Sequence, residues 1–193
     1  MNNKLTKIAI ATPILFALLF VSLNESISLE ANVMADPSFG GLFTITHADA
    51  NGNIISVQKV HNLVTNEGLE CFGDLIFEGT AVCVSENTFS YLAVGTTATA
   101  PADSQTALIA ESGGCARVQD GTVALDTSTT GQREATVSSV FSGGSCEAES
   151  YVETGIFDAS SSGNMLARAT FSSINLGVGE TLTINYEIVI NNA

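Results

Sequence analysis

The stretch "ETLTINYEIVI" (Glu180–Ile190) decides the fold. Leu182, Ile184, Tyr186, Ile188 and Ile190 occupy every second position, with Thr181, Thr183, Asn185 and Glu187 among the positions between. Successive side chains of a β-strand point to opposite faces. The alternation therefore specifies a strand with one buried and one wet face, as antiparallel sheets have.

The same period recurs upstream. Leu42, Thr44 and Thr46 alternate with Phe43, Ile45 and His47, and "IISVQKV" resumes the pattern after Asn51-Gly52. Asn and Gly both tolerate positive φ, so this dipeptide predicts a tight hairpin turn. Further strands are expected at Phe89–Val94, in three or four segments between Cys115 and Ser160, and in "NMLARATFSS" (Asn164–Ser173). Their turns fall at Asp120-Gly121, Thr130-Gly131 and Gly143-Gly144. The period changes only in "NLVTNEGLECFGDLIFEG", where Leu69, Phe72, Leu75 and Ile76 fit helical spacing. A short helix is expected from about Asn66 to Ile76, capped by Asn66 or Thr65, although Gly68 and Gly73 weaken it. The sum is an all-β chain, an antiparallel β-sandwich of about eight strands with one short helix.

The amino terminus reads differently. Lys4 and Lys7 precede the apolar run Ile8–Leu23, too short for a comfortable membrane span. A basic start and a short apolar run are the pattern of a secretory signal peptide. Val33-Met34-Ala35 is the favoured exit, with cleavage between Ala35 and Asp36, and Ser26–Ser28 is a second candidate. The competing reading is an uncleaved membrane anchor. Cleavage leaves a single domain, residues 36–193, secreted and free of the membrane.

The leader carries two residues of each sign, so the net charge stays at −14 without it. Such a surface repels nucleic acid and anionic lipid. The four cysteines, Cys71, Cys83, Cys115 and Cys146, form no C-x-x-C pair, and His47 and His61 are not near them in sequence. Zinc is therefore disfavoured, and an exported chain with an even count reads as disulfide-bonded. Of three possible pairings, Cys71–Cys83 and Cys115–Cys146 are favoured. The first pair brackets the helix and the turn after it. The second joins segments two or three strands apart.

Catalytic patterns are sparse. No serine lies in a G-x-S-x-G context, and His47 and His61 read best as strand-end residues. The acidic residues always offer pairs, but nothing singles one out. "DANGN" (Asp49–Asn53) lacks the spacing and later Glu of a calcium loop, and a hairpin turn accounts for it. No cofactor, metal or catalytic residue is expected.

Several fragments, in order, resemble small structural proteins of tailed bacteriophages, of the tail-fibre or virion kind. They are "VHNLVTNEGLECFGDLI" (Val60–Ile76), "YLAVGTTATAPADSQTAL" (Tyr91–Leu108), Arg117 after Glu111, "ETGIFDASSSGNMLARATF" (Glu153–Phe171) and "LTINYEIVI" (Leu182–Ile190). The resemblance implies a β-sandwich with a structural or attachment role and carries over no catalytic residues. The leader and the cysteines depart from that family. The expectation is therefore a secreted, non-enzymatic, self-associating structural protein of the cell surface, a filament or coat subunit. The alternatives are a virion or tail-fibre component and a secreted module that binds a surface glycan or receptor. Self-association has a candidate donor strand, with Phe39, Leu42, Phe43 and Ile45 completing a neighbour's sheet. The same residues also fit pairing within their own hairpin.

Overall fold

Leu182, Ile184 and Tyr186 are fully buried and Ile188 nearly so, while Thr181, Thr183, Asn185 and Glu187 keep contact with solvent. The alternation of "ETLTINYEIVI" is thus realised as strand β10 (Thr181–Asn191). Ile190 departs from it. It lies at the strand's end and is 39 % exposed. The structure is a computed structural model and describes residues 40–77, 88–121, 123–130, 132–146 and 149–191. The leader with Ala35 and Asp36, the candidate donor residue Phe39, and Cys83 lie outside the described residues.

Ten strands are present among the described residues, all antiparallel to their neighbours, in two five-stranded sheets. The first sheet orders β2 (Ile54–His61), β1 (Gly40–Ala48), β10, β7 (Gln132–Ser142) and β6 (Ala124–Asp126). The second orders β3 (Leu63–Val64), β9 (Met165–Asn175), β8 (Ser150–Phe157), β4 (Tyr91–Gly95) and β5 (Val118–Gln119). β5, β6, β7 and β8 fill the three or four segments expected between Cys115 and Ser160, and the two-residue β3 is the strand that was not expected. A strand as short as β3 shows no alternation for a pattern search to find. The expected strand at Phe89 starts two residues later, at Tyr91.

The core lies between the sheets. Phe43, Ile45, Val137, Phe141 and the inward side chains of β10 meet Leu92, Val94, Tyr151, Ile156, Ala167 and Ala169. The rings of Phe43 and Tyr186 lie 4.6 Å apart. Burial pushes the Tyr186 phenol well above its ordinary pKa. Its hydroxyl accepts from Asn62 Nδ2 at 3.3 Å. Asn62 is the corner where the chain leaves the first sheet for the second, and its Oδ1 accepts from the Gly41 amide at 2.7 Å.

The hairpin forms as expected. Asp49 Oδ1 accepts the amides of Asn51 and Asn53, each at 2.8 Å, and Gly52 adopts φ +84°. The helix, α1 (Asn66–Phe77), is capped by Thr65, whose hydroxyl accepts the Gly68 amide at 3.0 Å. Gly68 also explains itself. A Cβ there would stand 2.6 Å from the Leu166 carbonyl oxygen, so the glycine lets α1 press directly on β9. The Cys115–Cys146 disulfide is present as expected, with 31 residues of sequence separation. Cys71 is also disulfide-bonded.

Candidate functional site

The middle of the second sheet, over β4, most of β8 and the first half of β9, is buried on both faces, which an edge layer of a simple sandwich is not. Its inner face meets the first sheet. Its outer face is covered by the loop that follows β4 and runs from Thr96 to Ala110, and Ala93, Leu108, Phe157 and Met165 form a second small core beneath it. Among these apolar groups stand Arg168 and Glu153, both fully buried.

Register places them. Arg168 on β9 lies opposite Gly155 on β8, and Gly155 lies opposite Ala93 on β4. Two minimal side chains beside Arg168 leave a channel in which the guanidinium can lie along the sheet. It reaches Glu153, two residues from Gly155 on the same face, with Nη2–Oε2 at 2.6 Å and Nε–Oε2 at 2.8 Å. The remaining donors and acceptors go to the loop. Arg168 Nη2 donates to the Thr99 carbonyl at 2.9 Å, and Nη1 to Gln105 Oε1 at 3.1 Å. Glu153 Oε1 accepts the Ala110 amide at 2.9 Å, and Oε2 accepts the Ile109 amide at 3.2 Å. A Cβ on Gly95 would meet Glu153 Oε1 at 2.5 Å, so the glycine that ends β4 makes room for the carboxylate.

A second arginine does parallel work at the neighbouring turn. Arg117 holds Glu111 in a fork, Nε–Oε1 at 2.7 Å and Nη2–Oε2 at 2.8 Å. Its Nη1 donates to the carbonyls of Ala159 and Ser162 at 3.0 and 2.7 Å, and its Cζ sits 3.5 Å over the Phe157 ring. The turn it grips is closed by Asp158, whose Oδ1 accepts the Asn164 amide at 2.7 Å, with Ser162 and Gly163 at positive φ. Glu67 of α1 joins the same region, its Oε2 accepting the Met165 amide at 3.0 Å.

All the quoted phage-like fragments except "LTINYEIVI", which is β10 of the first sheet, thus converge at one place. "GTTATAPADSQTAL" is the loop, "ETGIF" supplies Glu153, "LARATF" supplies Arg168, Arg117 meets Glu111, and "DASSSGN" is the gripped turn. The chemistry available is that of a clamp. The carboxylates and guanidiniums of both pairs are engaged by loop and turn backbone or by each other. The sequence signal for the clamp is the charge in "MLARATF". An arginine inside an apolar strand needs a buried acceptor, and the glutamate of "YVETGIF" is its counterpart in the adjacent strand.

The other singled-out residues lie elsewhere. Leu42 is half-buried on the outer face of β1, and Phe43 and Ile45 are in the core. β1 pairs with β10 on one side and β2 on the other, so these donor-strand residues are held inside their own sheet. His47 closes β1 through a 2.9 Å contact from Nε2 to Glu180 Oε2, a strand-end role. Among the described residues no group of three His, Cys, Asp or Glu is arranged to hold a metal ion. A cavity of about 300 Å³ lies where α1 begins, lined by Asn66, Glu67, Glu70, Asp103 and Gln105 among others.

The fold is an all-β sandwich in which two charged pairs fix a loop and a turn. A family model described as Podophage GP4 fiber I protein gp80 matches residues 69–189, which include the clamp, its loop and nearly all of β10. The chain belongs to this family of phage fibre proteins. No curated protein and no solved structure gives a significant match.

Proposed function

We propose that this chain is a non-enzymatic structural component of a phage fibre or virion, assembling with further copies of itself. The observation that carries the reading is the family match over residues 69–189. The clamp supports it. Burying an ion pair to fix a fifteen-residue loop is a device for holding shape, since a buried pair is a poor source of stability by itself. A fixed loop beside a rigid sandwich also suits attachment to a surface glycan or receptor.

A second reading has its own observations. Lys4, Lys7 and the apolar run Ile8–Leu23 are the pattern of an export signal, and the Cys115–Cys146 disulfide suits an oxidising compartment. On this reading the same module is secreted and serves as a coat or filament subunit at the cell surface. Mass spectrometry of gradient-purified particles from a producing culture tests the two. The fibre reading expects the chain in the particles at a fixed ratio to other virion proteins. Its absence from particles, together with a mature amino terminus at Asp36 in the surface fraction, overturns that reading in favour of the secreted one.

A further inference from the structure

The two edges of the first sheet are unlike. β2 forms one edge and β6 the other. β2 exposes Ile54, Ile55 and Val57 at 66, 53 and 51 %, contains no acidic residue and carries Lys59. Among the described residues Lys59 has no carboxylate partner. β6 exposes Leu125 at 72 % and ends in Asp126, opposite Glu134 of β7. Asp126 gives Oδ1 to the Ser128 amide at 2.7 Å, and the neighbouring Arg133 donates to the Gln132 carbonyl. One edge is therefore apolar and basic, the other apolar and acidic.

An edge strand presents unpaired N–H and C=O groups to any strand that arrives. Like edges are poor partners here. Joining β2 to β2 brings the two Lys59 side chains into one small interface, and joining β6 to β6 does the same for Asp126. Like charges facing one another across strands destabilise the pairing. In a chain of net charge −14, a contact between copies is favoured where opposite charge is available.

We infer that the β2 edge of one copy pairs with the β6 edge of a second copy of this chain, with Lys59 facing Asp126. The contact is heterologous, so it repeats from copy to copy and builds a ring or an open filament. It deepens the fibre reading and rests on it for its biological role. The contact itself is testable on the purified protein alone.

The experiment is sedimentation velocity of the full chain at an ionic strength of about 0.15 M, where a pair in contact is little screened. The variants are Lys59→Asp, Asp126→Lys and the combined swap. The positions are exposed, and melting curves of each variant report whether the fold is kept. Wild type is expected to associate with rising concentration. Each single reversal is expected to weaken association about tenfold or more, and the swap to restore it to within about threefold. A wild type that stays monomeric overturns the inference. So do single reversals that associate like wild type, or a swap no better than the singles. None of these outcomes bears on whether the chain is found in purified particles, so the two readings fail separately.

Discussion

Arg168 Nη2 and Glu153 Oε2 lie 2.6 Å apart with neither side chain exposed to solvent. The pair sits two strands deep and binds loop backbone at Thr99, Ile109 and Ala110. Its geometry links two levels at once, strand register in the sheet and the path of a loop on its outer face. Replacing either partner leaves the other charge buried without compensation, at a cost of about 3–5 kcal/mol. Arg168→Met and Glu153→Gln are expected to fall in that range in urea melts. The double variant is expected to cost less than the sum of the singles. It will not reach wild type, because the side chain in Glu153→Gln keeps only one acceptor oxygen for the Ile109 and Ala110 amides. Limited proteolysis should then cut first between Thr96 and Ala110. Additive costs in the cycle, with the loop still resistant, would show that the pair does not hold it.

The third strand of the first sheet separates its faces cleanly. Ile184 is fully buried between the sheets, whereas Thr183 is half-exposed opposite Thr46 and Val140. Ile184→Ala removes core volume that the packed sheets cannot refill, and a loss of about 2–5 kcal/mol is expected. Thr183→Ala is expected to stay within about 0.5 kcal/mol of wild type. Equal losses at the two positions would contradict the assignment of faces.

How much of this was legible in the sequence depends on the range of each interaction. Alternation in Leu182–Ile188 and the Asn51-Gly52 turn are local, and both appear where the pattern places them. The Thr65 cap and the position of α1 are local too. The short strand β3 exists only because a longer neighbour offers a ladder, so no pattern within two residues announces it. The clamp was half legible. Arg168 inside "LARATF" demands a partner, but nothing in the sequence says that the partner is fifteen residues away at Glu153 or that both serve the loop after β4. Gly68 misled in the opposite direction. It lowers intrinsic helix propensity, and only the contact with Leu166 shows why the helix keeps it.

The Cys115–Cys146 bridge ties the segment before β5 to the turn after β7, and Cys115 is buried in the main core. Closing a loop of this length restricts the unfolded chain, and such a bridge contributes about 2–4 kcal/mol. Replacing both cysteines by Ala should lower stability by that amount in the oxidised protein. It should also make the remaining difference between oxidised and reduced protein smaller. Non-reducing peptide mapping should return the Cys115–Cys146 crosslink and, on the expected pairing, Cys71–Cys83. A Cys71–Cys115 peptide would refute the pairing.

Three carboxylates give the stability a defined response to acid. The Gly177 amide first, and then the His47 side chain, hold Glu180 below its ordinary value of 4.5. The Asn53 side chain first, followed by the Asn53 and Asn51 amides, does the same for Asp49 against 3.8, and the Ser128 amide does so for Asp126. A depressed folded-state pKa means that the unfolded chain takes up the proton first as pH falls. The stabilisation from each group is therefore complete above the ordinary carboxylate value. It declines as pH falls through that value and is gone once pH has passed the folded one. The melting temperature should be level with respect to these groups above 4.5 and fall progressively below it. Glu180→Gln removes one titrating group from the junction of β1 and β10, so its melting temperature should be lower at neutral pH and fall less steeply in acid. A variant whose acid limb runs parallel to wild type would show that the Gly177 and His47 contacts at Glu180 do not couple to folding.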